Sequence, residues 1–275
     1  MRIVSWNVNG IRSIARKGFH DWLRREIPSI VCLQETKAHR EQLPRDLVAP
    51  PGYEGHFHSA ERRGYSGVAT FVPVANGGAA AVPGKRRAAA LPALRNSPSP
   101  GIGIARFDAE GRVLACEFDR FVLLNCYFPN GQRDHGRLNY KLAFCESFLH
   151  FANGLRAAGK KLVICGDFNT AHREIDLARP KQNIETSGFL PIERAWIDRF
   201  TAHGYVDIFR ELHTEPDHYT WWSYQFNARK NNVGWRIDYF FVTDDLAGDV
   251  VSAEIHPEVT GSDHCPVSIV LGPAR

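Results

Sequence analysis

Acidic and amide side chains stand where several apolar runs of this chain end. Asn7, Glu35 and Asp167 each close a run rich in β-branched residues, and Asn169 follows two positions after the third. Acids and amides are poor strand formers, so a strand tolerates them mainly where it stops. Active sites of α/β proteins form where such strand ends converge. Carboxylates and amides gathered there predict a metal-assisted hydrolytic site.

A second group of candidate residues lies near the end of the chain. Asp238 falls within the apolar run 237–242, and Asp263 and His264 stand just before the run 265–271. A carboxylate such as Asp238, bonded to one ring nitrogen of His264, would fix the tautomer of the imidazole. Such a pair could orient a phosphoryl oxygen or stabilise charge on it.

These residue types supply what phosphodiester hydrolysis needs. A hard divalent cation prefers oxygen ligands and keeps several water molecules. Glu35, with Asn9 or Asp263 nearby, could hold one Mg2+, although ligand type alone leaves Mn2+ open. Asp167 could take a proton from water, and Tyr127, at the end of its run, could reach the same cleft. The sequence therefore predicts a metal, a group that activates water, and donors to the phosphate.

The bulk composition fits a globular chain that can bury a core. Of its 275 residues, 44% are hydrophobic and 23% are charged, and the net charge is +4. This mild basicity is compatible with a polyanionic partner. The six cysteines lie mostly in apolar runs without a CxxC pair, which predicts buried, reduced thiols and a cytoplasmic location. No run approaches the ~18 apolar residues of a membrane span, so no membrane association is predicted.

Apolar spacing predicts strands that alternate with helices, with hairpins among the crossovers. The predicted helices cover residues 18–27, 138–158 and 192–203. The predicted strands cover residues 2–7, 30–35, 67–72, 113–118, 121–127, 161–167, 237–242, 250–255 and 266–271. Hairpins mixed with crossovers indicate α/β architecture with mixed sheets. No linker divides the chain, so residues 1–275 are predicted to form a single domain.

Residues 73–100 stand apart from the rest of the chain. They are rich in Ala, Gly and Pro, and they carry the basic triplet 85–87. They show no clear strand pattern, which predicts a surface loop without regular structure.

Seven short segments, spread over nearly the whole chain outside residues 73–100, occur in the order of a known family. They are IVSWNVNGIR at 3–12, LQETK at 33–37, GYSGV at 64–68, YFPN at 127–130, GDFN at 166–169, NVGWRIDY at 232–239 and GSDHCP at 261–266. Together they resemble the exonuclease III and abasic-site endonuclease family of the endonuclease/exonuclease/phosphatase superfold.

This resemblance implies a fold, an activity and a substrate. The fold is a four-layered α/β sandwich, in which two mixed β-sheets pack face to face with helices outside. The activity is Mg2+-dependent cleavage 5′ to abasic sites, together with 3′-to-5′ exonuclease and 3′-phosphodiesterase activities. The partner is double-stranded DNA that carries an abasic site or a blocked 3′ end. A monomer fits an enzyme that scans DNA for lesions.

The resemblance also implies roles at matching positions. The implied metal ligands are Glu35, Asn9 and Asp263. The implied catalytic residues, which orient, deprotonate or hydrogen-bond the reacting groups, are Asn7, Tyr127, Asp167, Asn169, Asp238 and His264. The residues that would form an apolar pocket for an extruded, baseless sugar are Trp221, Trp235 and Ile237. The implied DNA backbone contacts are Arg12, Lys37, Tyr65, Asn130, Arg133, Arg137 and Asn183.

Two further points bear on this interpretation. Arg179 stands where the family usually has Asn, and Trp222 is expected in the core rather than in the site.

Two other functions compete with the DNA-repair nuclease. The second interpretation is a phosphatase of the same superfold that acts on inositol phosphates or lipid head groups. The third is a DNA-binding homologue with weakened catalysis, which would predict missing catalytic groups.

Overall fold

Two six-stranded β-sheets form the centre of the fold. The computed structural model describes residues 1–74, 92–132 and 135–273, and within these it adds a two-stranded ribbon to the two sheets. The strands are β1 Arg2–Asn7, β2 Ile30–Gln34, β3 Tyr53–His58, β4 Val68–Pro73, β5 Ser99–Pro100, β6 Val113–Glu117, β7 Val122–Tyr127, β8 Leu162–Asp167, β9 Tyr205–Asp207, β10 Trp221–Trp222, β11 Gly234–Trp235, β12 Asp238–Thr243, β13 Val250–Ile255 and β14 Val267–Leu271.

Eight α-helices occur within the described residues. They are α1 Ile11–Ala15, α2 Phe19–Glu26, α3 Arg45–Val48, α4 Ala105–Asp108, α5 His135–Ala157, α6 Pro191–Ala202, α7 Ile208–Leu212 and α8 Asp244–Ala247. None of these helices combines the length and the apolar character that crossing a bilayer requires.

Each sheet has one parallel pair of strands near its centre and antiparallel neighbours. The first sheet has the order β13-β14-β1-β2-β4-β3, with β1 and β2 parallel. The second has the order β5-β6-β7-β8-β12-β9, with β7 and β8 parallel. The mixed sheets predicted from hairpins and crossovers are therefore confirmed. Because parallel strands end at the same edge, each sheet presents two strand ends side by side.

Three apolar clusters make the fold four-layered. The central cluster contains side chains from both sheets, including Ile3 and Cys32 of the first and Leu123 and Phe240 of the second. A second cluster packs α5 and α6 on the outer face of the second sheet. A third packs α1 and α2 on the outer face of the first. The predicted sandwich, with the sheets face to face and helices outside, is confirmed.

The long helix α5 carries one charged side chain on its buried face. Lys141, Cys145, Phe148 and Ala152 are all buried and follow the four-three-four spacing of one helical face. Below them the ring of Phe128 stacks in an aromatic group between α5 and the second sheet. The charged head of Lys141 therefore reaches the end of the sheet from which the loop after β8 leaves.

The structure corrects the sequence predictions in two places. Ser99 and Pro100 form β5 at the edge of the second sheet, so the expectation that residues 73–100 lack strands is wrong at their end. The basic triplet 85–87 lies outside the described residues. Asp238 does not lie inside its strand but begins β12, which runs antiparallel to β8 and pairs Asp238 with Asp167.

Other sequence predictions agree with the structure. The six cysteines are all buried and free, as their apolar surroundings predicted. Trp222 is 3% exposed and packs in a small core cluster, which confirms its assignment to the core.

Candidate active site

The strand ends of the two sheets bring the polar candidates together. Asn7 ends β1, Glu35 directly follows β2, and Tyr127 and Asp167 end the parallel pair β7 and β8. Asp238 joins them because β12 is antiparallel and starts where β8 stops. The pairing of the mainly apolar strands thus places these carboxylates together, at the ends of the strands in both sheets.

The backbone bends sharply at several of these positions. Asn9, Glu35, Lys37 and Asn169 have φ angles of 46°, 52°, 49° and 51°, in the left-handed region that residues with a Cβ atom rarely adopt. Such conformations are strained and persist where the surrounding structure holds them, which is common at functional sites. Here they turn side chains toward the joint edge of the sheets.

Asn7 links the two sheets across the site. Its side chain is fully buried, and Nδ2 donates to Glu35 Oε1 and to Asp167 Oδ2, both at 2.9 Å. Its Oδ1 accepts from the amide of Asn9 at 3.0 Å. One amide therefore fixes a carboxylate from each sheet, and its implied role of orienting the reacting groups stays a prediction.

A chain of polar contacts connects Glu35 to Asp263. Lys37 Nζ lies 2.6 Å from Glu35 Oε2 and also donates to Asn9 Oδ1. Asn9 Nδ2 donates to Asp263 Oδ1 at 2.9 Å, and Trp221 Nε1 donates to Asp263 Oδ2 at 3.1 Å. Burial would raise the pKa of Glu35, but the ammonium of Lys37, the amide of Asn7 and the charge of His264 together outweigh it and lower that pKa. Glu35 is therefore an anion here.

His264 forms the predicted pair with Asp238. Its Nδ1 lies 2.8 Å from Asp238 Oδ2, and its Nε2 lies 3.8 Å from Asp167 Oδ2, too far for a direct hydrogen bond. Burial alone would lower the pKa of His264, but the carboxylates of Asp238 and Asp167 outweigh it and raise that pKa to about 10. Near neutral pH the imidazolium therefore presents an Nε2–H to the cleft.

Asp167 is poised between its charged and neutral forms. Burial is the main cause that raises the pKa of Asp167 to about 7. His264 opposes the rise, whereas the nearby carboxylates of Asp238 and Glu35 add to it. The amide of Asn169 donates to Asp167 Oδ1 at 2.8 Å and fixes the carboxylate. A carboxyl whose pKa lies near the working pH suits proton transfer with water.

Tyr127 and Asn169 complete the polar wall. Burial, followed by the charge of Glu35, raises the pKa of Tyr127 well above its ordinary value, so its hydroxyl stays protonated. Asn169 Nδ2 donates to the carbonyl of Phe128 at 2.9 Å, and Asn130 Nδ2 donates to Asn169 Oδ1 at 3.2 Å. Both side chains can therefore act as oriented hydrogen-bond groups at the cleft.

The donor set fits a divalent cation. Among the described residues, one group of possible ligands stands out, in which single atoms of Glu35, Asp167 and His264 all lie within 4.8 Å of one another. Oxygen atoms of Glu35 and Asn9 both contact one positive charge in this structure, the ammonium of Lys37. Asp263, the third ligand that the resemblance implies, joins this set through Asn9. Oxygen donors of this kind suit Mg2+ or Mn2+.

An apolar pocket opens beside the polar wall. A cleft of about 660 Å3 is lined by polar candidates and by Trp221, Trp235 and Ile237. The two indole rings meet edge to face with centroids 6.4 Å apart. Ala171, Leu177, Phe189 and Ile237 form the floor beneath them. The predicted apolar residues are thus adjacent to the predicted catalytic ones.

A buried ion network holds this pocket from behind. Arg236 is fully buried, and it donates to Asp176 Oδ1 at 2.8 Å and to Asp207 Oδ2 at 2.7 Å. Because neighbouring residues of an extended chain point to opposite faces, Trp235 and Ile237 turn away from this network and into the cleft. The charge of Arg236 lowers the pKa of Asp176 against the effect of burial.

The predicted backbone contacts fall into three groups. Asn130 and Asn183 line the main cleft, with Arg179 and the exposed Phe226 on its rim. Tyr65 and Arg137 line an adjoining cavity of about 560 Å3, which Tyr127 and Asn130 share. Arg12 is exposed on α1 and lines neither cavity within the described residues, and Arg133 lies outside them.

Sequence reasoning missed several residues that the geometry makes important. Arg112 is buried behind Tyr127, with its guanidinium 4.7 Å from the ring centroid and Nη1 donating to the carbonyl of Tyr127 at 2.9 Å. Lys37 itself was predicted as a DNA contact, and what the sequence did not indicate is its pairing with Glu35. Lys141 and Glu193 lie behind Asn169. For Lys141 a signal was present, since it stands on the apolar face of α5.

Fold and site together define a class of protein: the two-sheet α/β hydrolases that cleave phosphate esters. The model of the Endonuclease/Exonuclease/phosphatase family matches residues 4–264. The chain therefore belongs to that family, as its seven segments predicted.

Individual relatives show the same relationship. The DNA repair nuclease APEX1 of Danio rerio is 39% identical over 277 residues, covering 98% of this chain and 82% of the relative. An exodeoxyribonuclease of Bacillus subtilis is 38% identical, covering 98% and 99%. The crystal structure of an AP endonuclease from Leishmania major is similar with a TM-score of 0.86 at 30% identity, covering 99% of this chain and 88% of that one.

Proposed function

We propose that this protein is a DNA-repair nuclease that hydrolyses the phosphodiester bond 5′ to abasic sites in double-stranded DNA. The same site would remove nucleotides and blocking groups from 3′ ends. The observation that carries the proposal is a single cleft in which Glu35 and His264 meet the apolar wall of Trp221 and Trp235. The names of the relatives, a repair nuclease, an exodeoxyribonuclease and an AP endonuclease, support it.

The apolar wall supports the choice of substrate. A sugar without its base is small and can enter a pocket that is lined by the two indole rings, whereas a sugar that carries a base needs more room. The enzyme reads the lesion and not the sequence, so DNA contacts to phosphate suffice. Arg137 and Tyr65 in the adjoining cavity suit such contacts.

We propose that the protein acts as a monomer. We also propose that it works in a reducing compartment such as the cytoplasm, which its buried, free cysteines support.

The proposed cofactor is Mg2+, with Mn2+ as a substitute. Glu35 would hold it, with Asn9 and Asp263 beside it, because Glu35 and Asn9 already offer oxygens to the ammonium of Lys37 and Asp263 is bonded to Asn9. When bound, the ion neutralises charge on the phosphate and lowers the pKa of coordinated water.

The protein groups divide the remaining work. Asp167, with its raised pKa and its carboxylate fixed by Asn7 and Asn169, would accept a proton from the attacking water. His264, held as an imidazolium by Asp238, would donate from Nε2 to a phosphate oxygen. The protonated hydroxyl of Tyr127 would donate to the same group. Such fixed donors stabilise charge that develops in the transition state.

The experiment that tests the proposal uses two labelled duplexes. One carries a single stable abasic-site analogue, and the other is undamaged with a recessed 3′ end; each is incubated with Mg2+ or with EDTA. We expect a Mg2+-dependent single nick 5′ to the analogue. Degradation of the recessed end alone would mean that the enzyme is chiefly an exonuclease. If neither duplex is cleaved, the proposal is wrong, and hydrolysis of inositol phosphates becomes the next assay.

A further inference from the structure

A buried ion pair lies directly behind the catalytic residues. Lys141 Nζ of α5 is 2.6 Å from Glu193 Oε1 of α6, and each side chain is 1% exposed. The space around the pair, lined by Phe128, Phe168 and Trp196 among others, leaves no room for a water molecule. An unpaired charge in such surroundings is very costly, so the ammonium of Lys141 and the carboxylate of Glu193 must stay in contact with each other.

Lys141 holds the loop that follows β8. Its Nζ also donates to the carbonyl oxygen of Asn169 and to Thr170 Oγ1, both at 2.7 Å. The amide nitrogen of Asn169 is the donor that fixes Asp167 Oδ1. The ammonium of Lys141 therefore holds the carbonyl oxygen of Asn169, while the amide nitrogen of Asn169 orients Asp167, the proposed base.

Glu193 holds the wall of the apolar pocket. Its Oε2 accepts from the amides of Gly188 at 2.6 Å and of Leu190 at 3.2 Å. Gly188 has a φ of 98°, and a Cβ atom there would lie 3.2 Å from the carbonyl oxygen of Asn169 and 3.3 Å from the ring of Trp235. Gly188 thus fits between the polar and the apolar halves of the cleft.

The two loops are also joined directly. The amide of Ala171 donates to the carbonyl oxygen of Gly188 at 2.8 Å. The loop after β8 and the segment around Gly188 are therefore hydrogen-bonded to each other, and each is also bonded to one member of the ion pair. A shift of the pair would move Asn169 relative to Trp235.

We propose that Lys141 and Glu193 are positioning residues that fix the distance between the Asp167–Asn169 loop and the Gly188–Trp235 wall. They touch neither substrate nor metal ligands and act through the backbone. The inference rests on the proposed function, because it assigns these two walls to catalysis and to binding of the baseless sugar. Displacements of about 1 Å in such a constellation lower turnover by as much as about 100-fold.

The test variant is the double substitution Lys141→Met with Glu193→Gln. Met follows the path of the lysine stem, and Gln keeps an acceptor for the amide of Gly188, so packing is retained and no unpaired charge remains. The ion pair and the ammonium contacts to Asn169 and Thr170 are lost, and an amide nitrogen replaces the glutamate oxygen that accepts from Ser187 Oγ at 3.1 Å. We expect kcat on the abasic duplex to fall by about tenfold or more, with KM changed by less than about threefold.

A matched control separates positioning from stability. Leu149→Ala removes a buried side chain from the same helix, α5, without contact to the pair. It lowers stability, and we expect it to keep wild-type kcat at a temperature where it is folded. Wild-type kcat in the folded double variant would overturn the proposal. If the double variant is less stable than this control, Thr170→Val carries the test, because it removes one contact of Lys141 and leaves both charges; unchanged kcat there would overturn the proposal as well.

Hydrogen exchange tests the same inference without a substrate. We expect the amide of Ala171 to exchange about tenfold faster in the double variant, with amides of β7 unchanged. Equal exchange of Ala171 in both proteins would overturn the positioning role. If wild-type protein cleaves neither duplex, the proposed function fails, yet the exchange result still reports whether the pair holds the two loops together.

Discussion

Replacement of Asp238 by Asn tests the electrostatics of the site most directly. In the wild-type protein, His264 has its pKa raised from 6.5 to about 10 against the effect of burial. Each pH unit corresponds to about 1.4 kcal/mol, so the fold favours the imidazolium over the neutral ring by about 5 kcal/mol more than water does. Asp238, at 2.8 Å, is closer to the ring than Asp167 at 3.8 Å. Its removal should lower the pKa of His264 by roughly 1 to 3 pH units.

The same substitution predicts how stability depends on pH. A histidine whose pKa is higher in the folded protein stabilises the fold fully below its unfolded pKa, and this contribution is lost as pH rises through its folded pKa. In EDTA, Asp238→Asn should therefore cost about 1 to 4 kcal/mol of unfolding free energy near pH 6. The difference from wild type should shrink as pH rises toward 10. Urea denaturation at several pH values measures it.

Imidazole NMR of the metal-free protein gives the titration itself. The matched control is Asp198→Asn, which removes the exposed carboxylate beside His172 and should leave His264 unchanged. If His264 titrates in Asp238→Asn at the same pH as in wild type, Asp238 is not the group that holds the imidazolium. In the nicking assay we expect activity of the variant to fall as pH rises over a range in which the wild type stays active.

Three further substitutions test separate parts of the site. Glu35→Ala should lose most metal-dependent nicking but still bind an abasic duplex by fluorescence anisotropy in EDTA; wild-type nicking would refute its assignment as a metal ligand. Asp167→Asn should lower kcat by at least about 100-fold with an unchanged circular dichroism spectrum, and near-normal turnover would remove Asp167 from the mechanism. Glu110 has its pKa lowered to about 2, because Arg137 and Arg112 outweigh burial. Its stabilising effect is present above its unfolded pKa and lost as pH falls toward 2. Glu110→Gln should therefore cost about 1 to 2 kcal/mol at pH 7 after solvent screening, and the cost should vanish near pH 2; a constant cost in denaturant titrations would contradict the ion-pair explanation.

The polar candidates could be read from the sequence because strands tolerate them only at their ends. Asn7, Glu35 and Asp167 interrupt apolar runs, and the structure places all three at one edge of the two sheets. Asp238 shows the limit of that argument. The sequence indicated a strand around it, but only the antiparallel pairing of β12 with β8 put its carboxylate at the same edge.

Partners distant along the chain could not be predicted from residue types alone. Lys37 was expected to contact DNA, yet its ammonium lies against Glu35, and the backbone at both residues is left-handed, which the sequence does not reveal. Lys141 and Glu193 are far apart in sequence, and although Lys141 stands out on the apolar face of its helix, nothing in the sequence names Glu193 as its partner. Their pairing depends on how α5 and α6 pack on the second sheet.

The sequence by itself indicated nine of the fourteen strands in the described residues, the two longest helices and the family, and it supplied the candidates for the reacting groups. These follow from local patterns, since apolar periodicity and strand-ending polar residues act over a few positions. The tertiary structure decided which charges face one another and hence which groups carry protons. The pKa of Asp167 rises because burial removes water and brings the carboxylates of Asp238 and Glu35 close, and that of His264 rises because the carboxylates of Asp238 and Asp167 lie beside it. Both effects depend on distances across the two sheets, which only the folded chain sets.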